Sequence, residues 1–250
     1  MLQRERDDLI VRALRLKGTA SAAELARRLG VSTATIRRDL QRLDQSGELR
    51  RVHGGAVIDN HIEAPFAISH DTDGAAKDRI AARAAELVHD GDVILLDIGT
   101  TTLRLARHLH GRELTVITSN IAVFDELRGD PAIQLVLLGG MVRRNYQSLV
   151  GSLTEEALRQ VSVDRLFLSC TGVRAGGYVV DNMMVEAPAK RAMVAAAQSV
   201  TLLASPKKFP GTGSLRICRL ADIDSIVTTK EADRKILTAC RAAGGKVMTA

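Results

Sequence analysis

The sequence predicts an α/β protein in two parts, a small basic head made mostly of helices and a larger body built on a mainly parallel sheet. Three observations carry that prediction. Apolar residues within the first 45 positions recur at helical spacing in three short segments. From residue 75 onward, short apolar runs rich in β-branched residues and leucine alternate with amphipathic stretches, the pattern of strands covered on both faces. The positive charge is concentrated at one end: residues 1–56 hold 12 of the 35 Lys and Arg but 7 of the 29 Asp and Glu, an excess of five out of a net +6.

The head is organised around residues 31–43. Ile36, Leu40 and Leu43 fall at i, i+4 and i+7, one stripe of a helix, and Ser32 precedes it as an N-cap able to accept from an orphan backbone N–H. Upstream, Ser21-Ala22-Ala23-Glu24 has the form of a capping box; Leu25, Ala26 and Leu29 give the helix it opens an apolar side, and Gly30 ends it. Two helices at that spacing make a helix-turn-helix. Residues 5–17 place Leu9, Ile10, Ala13 and Leu14 at helical spacing, so three helices share one core. Residues 46–56 read as a glycine-bounded β-hairpin, a wing. This winged helix-turn-helix presents Ser32, Thr33, Thr35, Arg37, Arg38 and Arg42 as candidate contacts to duplex DNA, with Thr33, Thr35, Arg37 and Arg38 nearest the major groove. Arg50, Arg51 and His53 on the wing would meet backbone or minor groove. Asp39 is expected to pair with a neighbouring arginine, because a carboxylate facing phosphates repels them. No aromatic residue precedes Phe66, which argues against stacking on unpaired bases and for a double-stranded partner.

The winged unit is expected to end at residue 57. Residues 58–74 lose periodicity and gather Pro65 and Gly74, the marks of a linker that Phe66 would pin to a neighbour. The body, residues 75–250, shows strand patterns at 93–98, 114–118, 133–138, 163–169, 200–204 and 225–228. Helical patterns at 77–88, 103–109, 122–127, 153–161, 186–198 and 231–243 alternate with them. In such sheets ligands sit beyond the carboxyl ends of the strands.

Asp97-Ile98-Gly99-Thr100-Thr101-Thr102 follows the first strand and opens a helix. Its glycine, its hydroxyls and the helix N-terminus suit an anion such as phosphate, although a threonine-capped turn has the same residues. Thr118 and Asn120 end the second strand. Gly139 and Gly140 end the third and precede Arg143, which suits bidentate phosphate pairing. Asp181, Glu186, Lys190 and Lys208 fall at similar places. Glu186 and Lys190, four apart, equally suit a surface ion pair, and Lys208 an exposed loop cation.

Composition excludes other classes. No apolar run approaches 18 residues and charged residues crowd the start, so a soluble cytoplasmic protein is expected. Cys170, Cys218 and Cys240 are odd in number and far apart, read as reduced, buried thiols. The six histidines are scattered, and His108 and His110 fall on different helix faces, so neither metal nor cofactor is expected.

Val31-Ser32, Thr35 to Leu40, Leu43, Gly47 and Arg51 through Ala56 resemble the N-terminal signature of the DeoR family of bacterial transcription regulators. The resemblance continues through Asp97, Gly99, Thr100 and Thr101; Thr118 and Asn120; Gly139, Gly140 and Arg143; and Asp181, Glu186, Lys190, Lys208 and Phe209. It implies a regulator, more often a repressor, of carbohydrate-metabolism genes. Its larger domain would be related in fold to ribose-5-phosphate isomerase, bind a phosphorylated sugar or related metabolite, and join copies into a homo-oligomer. Ser205 departs from the pattern, since many relatives have an Asp three residues before the Lys-Phe pair. The isomerase relation raises an alternative, that the body is a sugar-phosphate isomerase. Such a catalyst needs a positioned base, and the turn Ser169-Cys170-Thr171-Gly172-Val173 contains no acid. A further alternative is a body that only oligomerises.

Overall fold

The computed structural model describes residues 3–17, 19–46, 48–57, 66, 73–174 and 176–250. The chain divides into two compact units, residues 1–65 and 66–250. Apart from Phe66, Asp73 and Gly74, the expected linker lies outside the described residues.

The first unit contains α1 (Gln3–Lys17), β1 (Thr19–Ser21), α2 (Ala22–Leu29), α3 (Thr33–Gln45), β2 (Arg50–Val52) and β3 (Gly55–Val57). The two serine caps form as the sequence requires: Ser21 accepts from the Glu24 amide and Ser32 from the Thr35 amide, each at 3.1 Å. Ile10, Leu14, Leu25, Ile36, Leu40 and Leu43 meet in a fully buried core. Leu9 does not join them. It is 41% exposed, and Val11 is buried in its place, because the inward stripe of α1 is centred on Ile10 and Leu14. The wing has one strand more than the sequence pattern suggests: β1 pairs antiparallel with β3, giving the order β1-β3-β2. Gly55 permits this closure, since a Cβ there would stand 2.3 Å from the carbonyl oxygen of Ala20.

The second unit contains α4 (Gly74–Ala85), β4 (Val93–Leu96), α5 (Thr100–Arg107), β5 (Leu114–Thr118), α6 (Ile121–Leu127), β6 (Ile133–Leu137), β7 (Met141–Arg143), β8 (Ser148–Val150), α7 (Ser152–Arg159), β9 (Val163–Leu168), β10 (Gly172–Arg174), β11 (Tyr178–Asp181), α8 (Ala187–Ala196), β12 (Ala197–Leu203), β13 (Leu215–Arg219), β14 (Ser225–Thr228), α9 (Arg234–Ala242) and β15 (Lys246–Thr249). Seven strands form one parallel sheet in the order β15-β14-β12-β9-β4-β5-β6. Both faces are buried. Leu95, Leu166 and Leu168 pack into one layer and Ile94, Leu96 and Phe167 into the other. At the open edge, Val136 and Leu137 of β6 remain 37% exposed. No helix among the described residues is long and apolar enough to cross a membrane.

The strands expected at 114–118 and 225–228 are β5 and β14 to the residue. The edge strand β15, the hairpin β7-β8 and the antiparallel sheet β10-β11-β13 carry no sequence expectation, because their short pieces are interrupted by charged or polar residues and form no continuous apolar run. The topology matters most for function. Successive strands step from β4 outward to β5 and β6, the chain returns to place β9 beside β4, and then β12, β14 and β15 step outward on the other side. Connections thus leave β4 and β9 in opposite directions and open a crevice beyond their carboxyl ends.

Ile36 is fully buried at the centre of the head, so Ile36→Ala should cost about 2–5 kcal/mol. Denaturant unfolding followed by circular dichroism measures this, and a loss well under that range would contradict its central place.

Candidate functional site

The first candidate surface is α3 with its wing. Asp39, 4% exposed, accepts from Arg6 at 2.6 and 3.1 Å and from Arg42 at 3.3 Å. Burial opposes its ionisation, but the bonds from Arg6 and Arg42 outweigh that and hold the carboxyl below its usual range. Arg42 also donates to Asp7 at 2.6 Å, so its guanidinium ties α3 to α1. The hydroxyl of Ser32 is engaged as the cap and lies 2.8 Å from that of Thr35. Arg37 and Arg38 are exposed, with no ion pair to any described residue, as are Arg50, Arg51 and His53 on the wing. The Arg51 amide donates to Asp44 at 2.9 Å, which fixes the wing against the end of α3. The fold therefore neutralises the one carboxylate on the inner side of α3 and leaves cations outward.

The second candidate surface lies beyond the carboxyl ends of β4 and β9. Asp97 leaves β4 and turns inward, fully buried, where its carboxylate accepts from the backbone and hydroxyl of Ser169, each at 2.8 Å, and from the Ile98 amide at 2.7 Å. Lys190, on α8, donates to the same carboxylate at 2.6 Å, with Asp181 at 3.6 Å. Burial works against a charged ammonium here, yet Asp97 and Asp181 outweigh it and hold the Lys190 proton above the ordinary lysine range. Glu186 does not pair with Lys190. Both are 2% exposed, and Glu186 pairs with Arg143 of β7, so the surface ion pair suggested by their spacing gives way to tertiary partners.

Around this knot the predicted residues divide. Thr102 lies within hydrogen-bond reach of the Asp97 and Gly99 carbonyls, at 2.7 and 2.8 Å. Asn120 donates to Gly99 at 3.1 Å and caps α6, and Thr118 donates to the Leu96 carbonyl at 2.8 Å. Gly99 has φ +149°, and a Cβ there would stand 3.0 Å from the Ser169 hydroxyl, so the loop closes only on glycine. Thr100 and Thr101 are buried at the first turn of α5. Gly139 and Gly140 sit apart from the Asp97 knot, Gly139 accepting from Thr154 at 2.6 Å. Lys208 is half-buried on a single 3₁₀ turn, Pro206–Lys208.

Sequence reasoning missed Lys77 and Ser169. Lys77, on α4, is 8% exposed and donates to Thr100 at 2.8 Å. Burial, with the fields of Lys208 and Arg104 beside it, pushes its pKa down from 10.5 to about 8. Its place in an amphipathic helix gave no signal, whereas Ser169 stands at a strand end, where the same logic that picked Asp97 applies. Cys170, Cys218 and Cys240 are free and buried, and burial raises the Cys170 thiol to about 11. Among the described residues no cluster could hold a metal ion.

A winged helix-turn-helix joined to a sheet with polar groups converging at its switch point defines a class, transcription regulators that carry a sensor domain. The chain belongs to the DeoR family: residues 6–61 match the DeoR-like helix-turn-helix domain and residues 72–230 the DeoR C terminal sensor domain. It is 32% identical over 244 residues to the HTH-type transcriptional regulator GolR of Listeria innocua, covering 96% of each chain. It is 32% identical over 241 residues to the lactose phosphotransferase system repressor of Streptococcus mutans, covering 94% of this chain and 96% of that one. With the L-fucose operon activator of Haemophilus influenzae it shares 30% over 227 residues, 90% and 91% of the two chains. Ribose 5-phosphate isomerase A of Methanocaldococcus jannaschii has a TM-score of 0.41 and 18% identity over 55% of each chain, too slight a likeness to argue from.

If Arg37 reads a base, Arg37→Ala costs about 1–3 kcal/mol on the operator and relaxes specificity there. A phosphate contact would instead weaken all sequences alike and lower the salt slope by about one; titrations across salt concentrations separate the two. Removing the cation from the knot, Lys190→Met, should destabilise the second unit by about 3–5 kcal/mol, because two carboxylates are left buried without it. Unaltered unfolding would contradict that.

Proposed function

We propose that this regulator grips operator DNA through Thr33, Thr35, Arg37 and Arg38 in the major groove and Arg50, Arg51 and His53 on the wing, while Ser32, engaged as the cap, and Arg42, paired with Asp7 and Asp39, hold α3 in place. A phosphorylated sugar or related anionic metabolite, bound at the carboxyl ends of β4, β5 and β9, sets that affinity. Repression of carbohydrate-metabolism genes is the expected sign. The relatives' names support the sugar connection, since one is a lactose phosphotransferase system repressor and another an L-fucose operon activator. The activator keeps the opposite sign open to experiment.

The observation that carries the anionic reading is Lys77. Lys77 reaches the first turn of α5 through Thr100 and is buried, as is Arg104 further along that helix, and the fields of Lys208 and Arg104 both act on it. Those fields add to the cost of keeping Lys77 charged, and an anion bound at that helix end would relieve it. Thr100, Thr101 and the Gly99 turn supply hydroxyls and backbone N–H groups for its oxygens, and Asp97, Asn120, Thr118 and Thr102 hold that turn in place. Arg143, Glu186 and Asp181 border the sugar end; Gly140 instead lets its turn close on α7, since a Cβ there would stand 2.2 Å from the Thr154 hydroxyl.

Binding rather than catalysis is supported by the state of the carboxylates. Asp97 is engaged by Lys190, Ser169 and Ile98, Asp181 accepts from the amides of Asn182 and Met183 at 2.8 and 3.0 Å, and Glu186 pairs with Arg143. A proton-transferring base needs a free lone pair aimed at substrate. Self-association is supported by size, because a single small DNA-binding module buries only about 600–1,000 Å² of protein on DNA. Two or more copies joined through the larger units would give the needed grip, and a monomeric mass at operator-binding concentration would refute this.

Thermal denaturation with a panel of sugar phosphates tests the reading. A ligand at a hundredfold its Kd adds about 2.7 kcal/mol of stability, and Thr101→Ala should abolish that gain while operator binding persists. No gain with any compound would favour a purely oligomerising body. A bound anion should also draw Lys77 back toward its ordinary value. Since Lys77 alone is half-deprotonated near pH 8, binding should take up a proton between pH 8 and 10 and weaken as pH rises through that range. Calorimetry in two buffers of different ionisation enthalpy at pH 8.5 reads the uptake, and Lys77→Met should remove it.

A further inference from the structure

Phe66 is 5% exposed, and its amide donates to the Asn145 carbonyl at 2.9 Å. Its ring meets Tyr146 edge to face, with centroids 5.6 Å apart and planes at 79°. Asn145 and Tyr146 lie in the turn of the β7-β8 hairpin. The same turn holds Gln147 at φ +52°, a conformation that persists only where the surroundings over-determine it. The Arg143 guanidinium stands 5.7 Å from the Tyr146 ring centroid and pairs with Glu186, to which the Ser148 hydroxyl lies at 3.5 Å. Glu186 in turn caps α8, its carbonyl accepting from the Lys190 amide at 3.0 Å, and Lys190 holds Asp97.

A continuous series of packed and bonded groups therefore runs from Phe66, the first residue of the second unit and part of the expected joining stretch, to the crevice between β4 and β9. We propose that the β7-β8 hairpin transmits occupancy of that crevice to the joining stretch, with the Phe66–Tyr146 contact as the coupling. The inference rests on the anion-binding reading of the crevice. It names the moving part. The sugar end of a ligand bound there offers Arg143 a hydroxyl as a second partner in place of Glu186, and a guanidinium that turns to it leaves both the carboxylate and the face of Tyr146. The hairpin then has two arrangements, one with Arg143 on Glu186 and Tyr146 on Phe66, the other with both contacts released. A ligand that binds one of them better shifts the balance.

The chain has no tryptophan and only two tyrosines, so a Tyr178→Phe protein emits from Tyr146 alone. The probes are ribose 5-phosphate, glucose 6-phosphate, fructose 1-phosphate and glycerol 3-phosphate, and the one that raises the melting temperature most is carried forward. That compound should change the Tyr146 emission, and it should change the affinity of wild-type protein for the DNA upstream of its own gene by about tenfold, within the usual span of coupling between sites. Phe66→Leu keeps an apolar side chain in the core but loses the ring edge. It should bind the compound with Kd within about threefold of wild type while its DNA affinity responds less than about twofold. Tyr146→Leu, on the half-buried turn, should lose the response in the same way, and Tyr146→Phe should keep it. Full DNA response in both leucine variants, with ligand still bound, would overturn the hairpin as the route and leave the anion site standing. Absence of any thermal shift in wild type would overturn the anion site and the route together.

Discussion

The bond between Lys190 and Asp97 is the interaction on which the second unit depends. Asp97 closes β4, Ser169 closes β9 and Lys190 stands on α8, so a single carboxylate holds together the two central strands and the helix that covers their ends. Charges buried this deeply are costly unless every lone pair and proton is used. Here they are: the ammonium reaches Asp97, Asp181 and the Ser169 carbonyl, and the carboxylate takes two amides and a hydroxyl besides. The knot lies where the connections diverge, at the floor of the crevice, and Lys77 of α4 bonds Thr100 at the first turn of α5.

The head solves the opposite problem. It must keep cations outward while packing three helices tightly, and α3 carries an aspartate on its inner side. Arg6 and Arg42 neutralise that carboxylate within the unit, and Arg37 and Arg38 stay exposed. Charge thus sorts by direction, ion pairs toward the neighbouring helices and, toward solvent, guanidinium groups with no ion pair among the described residues. The body, nearly neutral in its own sequence, offers no comparable field, so the two units differ electrostatically as well as in fold.

Much of this was legible from residue patterns, and the exceptions share a physical cause. Caps are local, so Ser21 and Ser32 marked the starts of α2 and α3 correctly. Strands buried on both faces are strongly apolar, so β5 and β14 could be read to the residue. Placing candidate chemistry at strand ends brought Asp97, Asn120 and Lys190 into one neighbourhood from residues up to 93 positions apart. What failed was anything set by tertiary partners. Glu186 and Lys190 have the spacing of a helical pair, yet each finds a better partner across the fold. Lys77 resembles any solvent-facing lysine of an amphipathic helix until α5 packs over it. Three-residue strands such as β1 and β7 are defined by what they pair with, which no short window of sequence contains.

The central claim is that the crevice between β4 and β9 holds a phosphorylated metabolite without transforming it. Phosphorus NMR of the full-length protein with each sugar phosphate in turn tests this most directly. The account predicts that the resonance of at least one compound shifts or broadens on adding protein and that the compound is recovered unchanged after prolonged incubation. A new phosphorus resonance growing with time, or no perturbation of any compound, would contradict it.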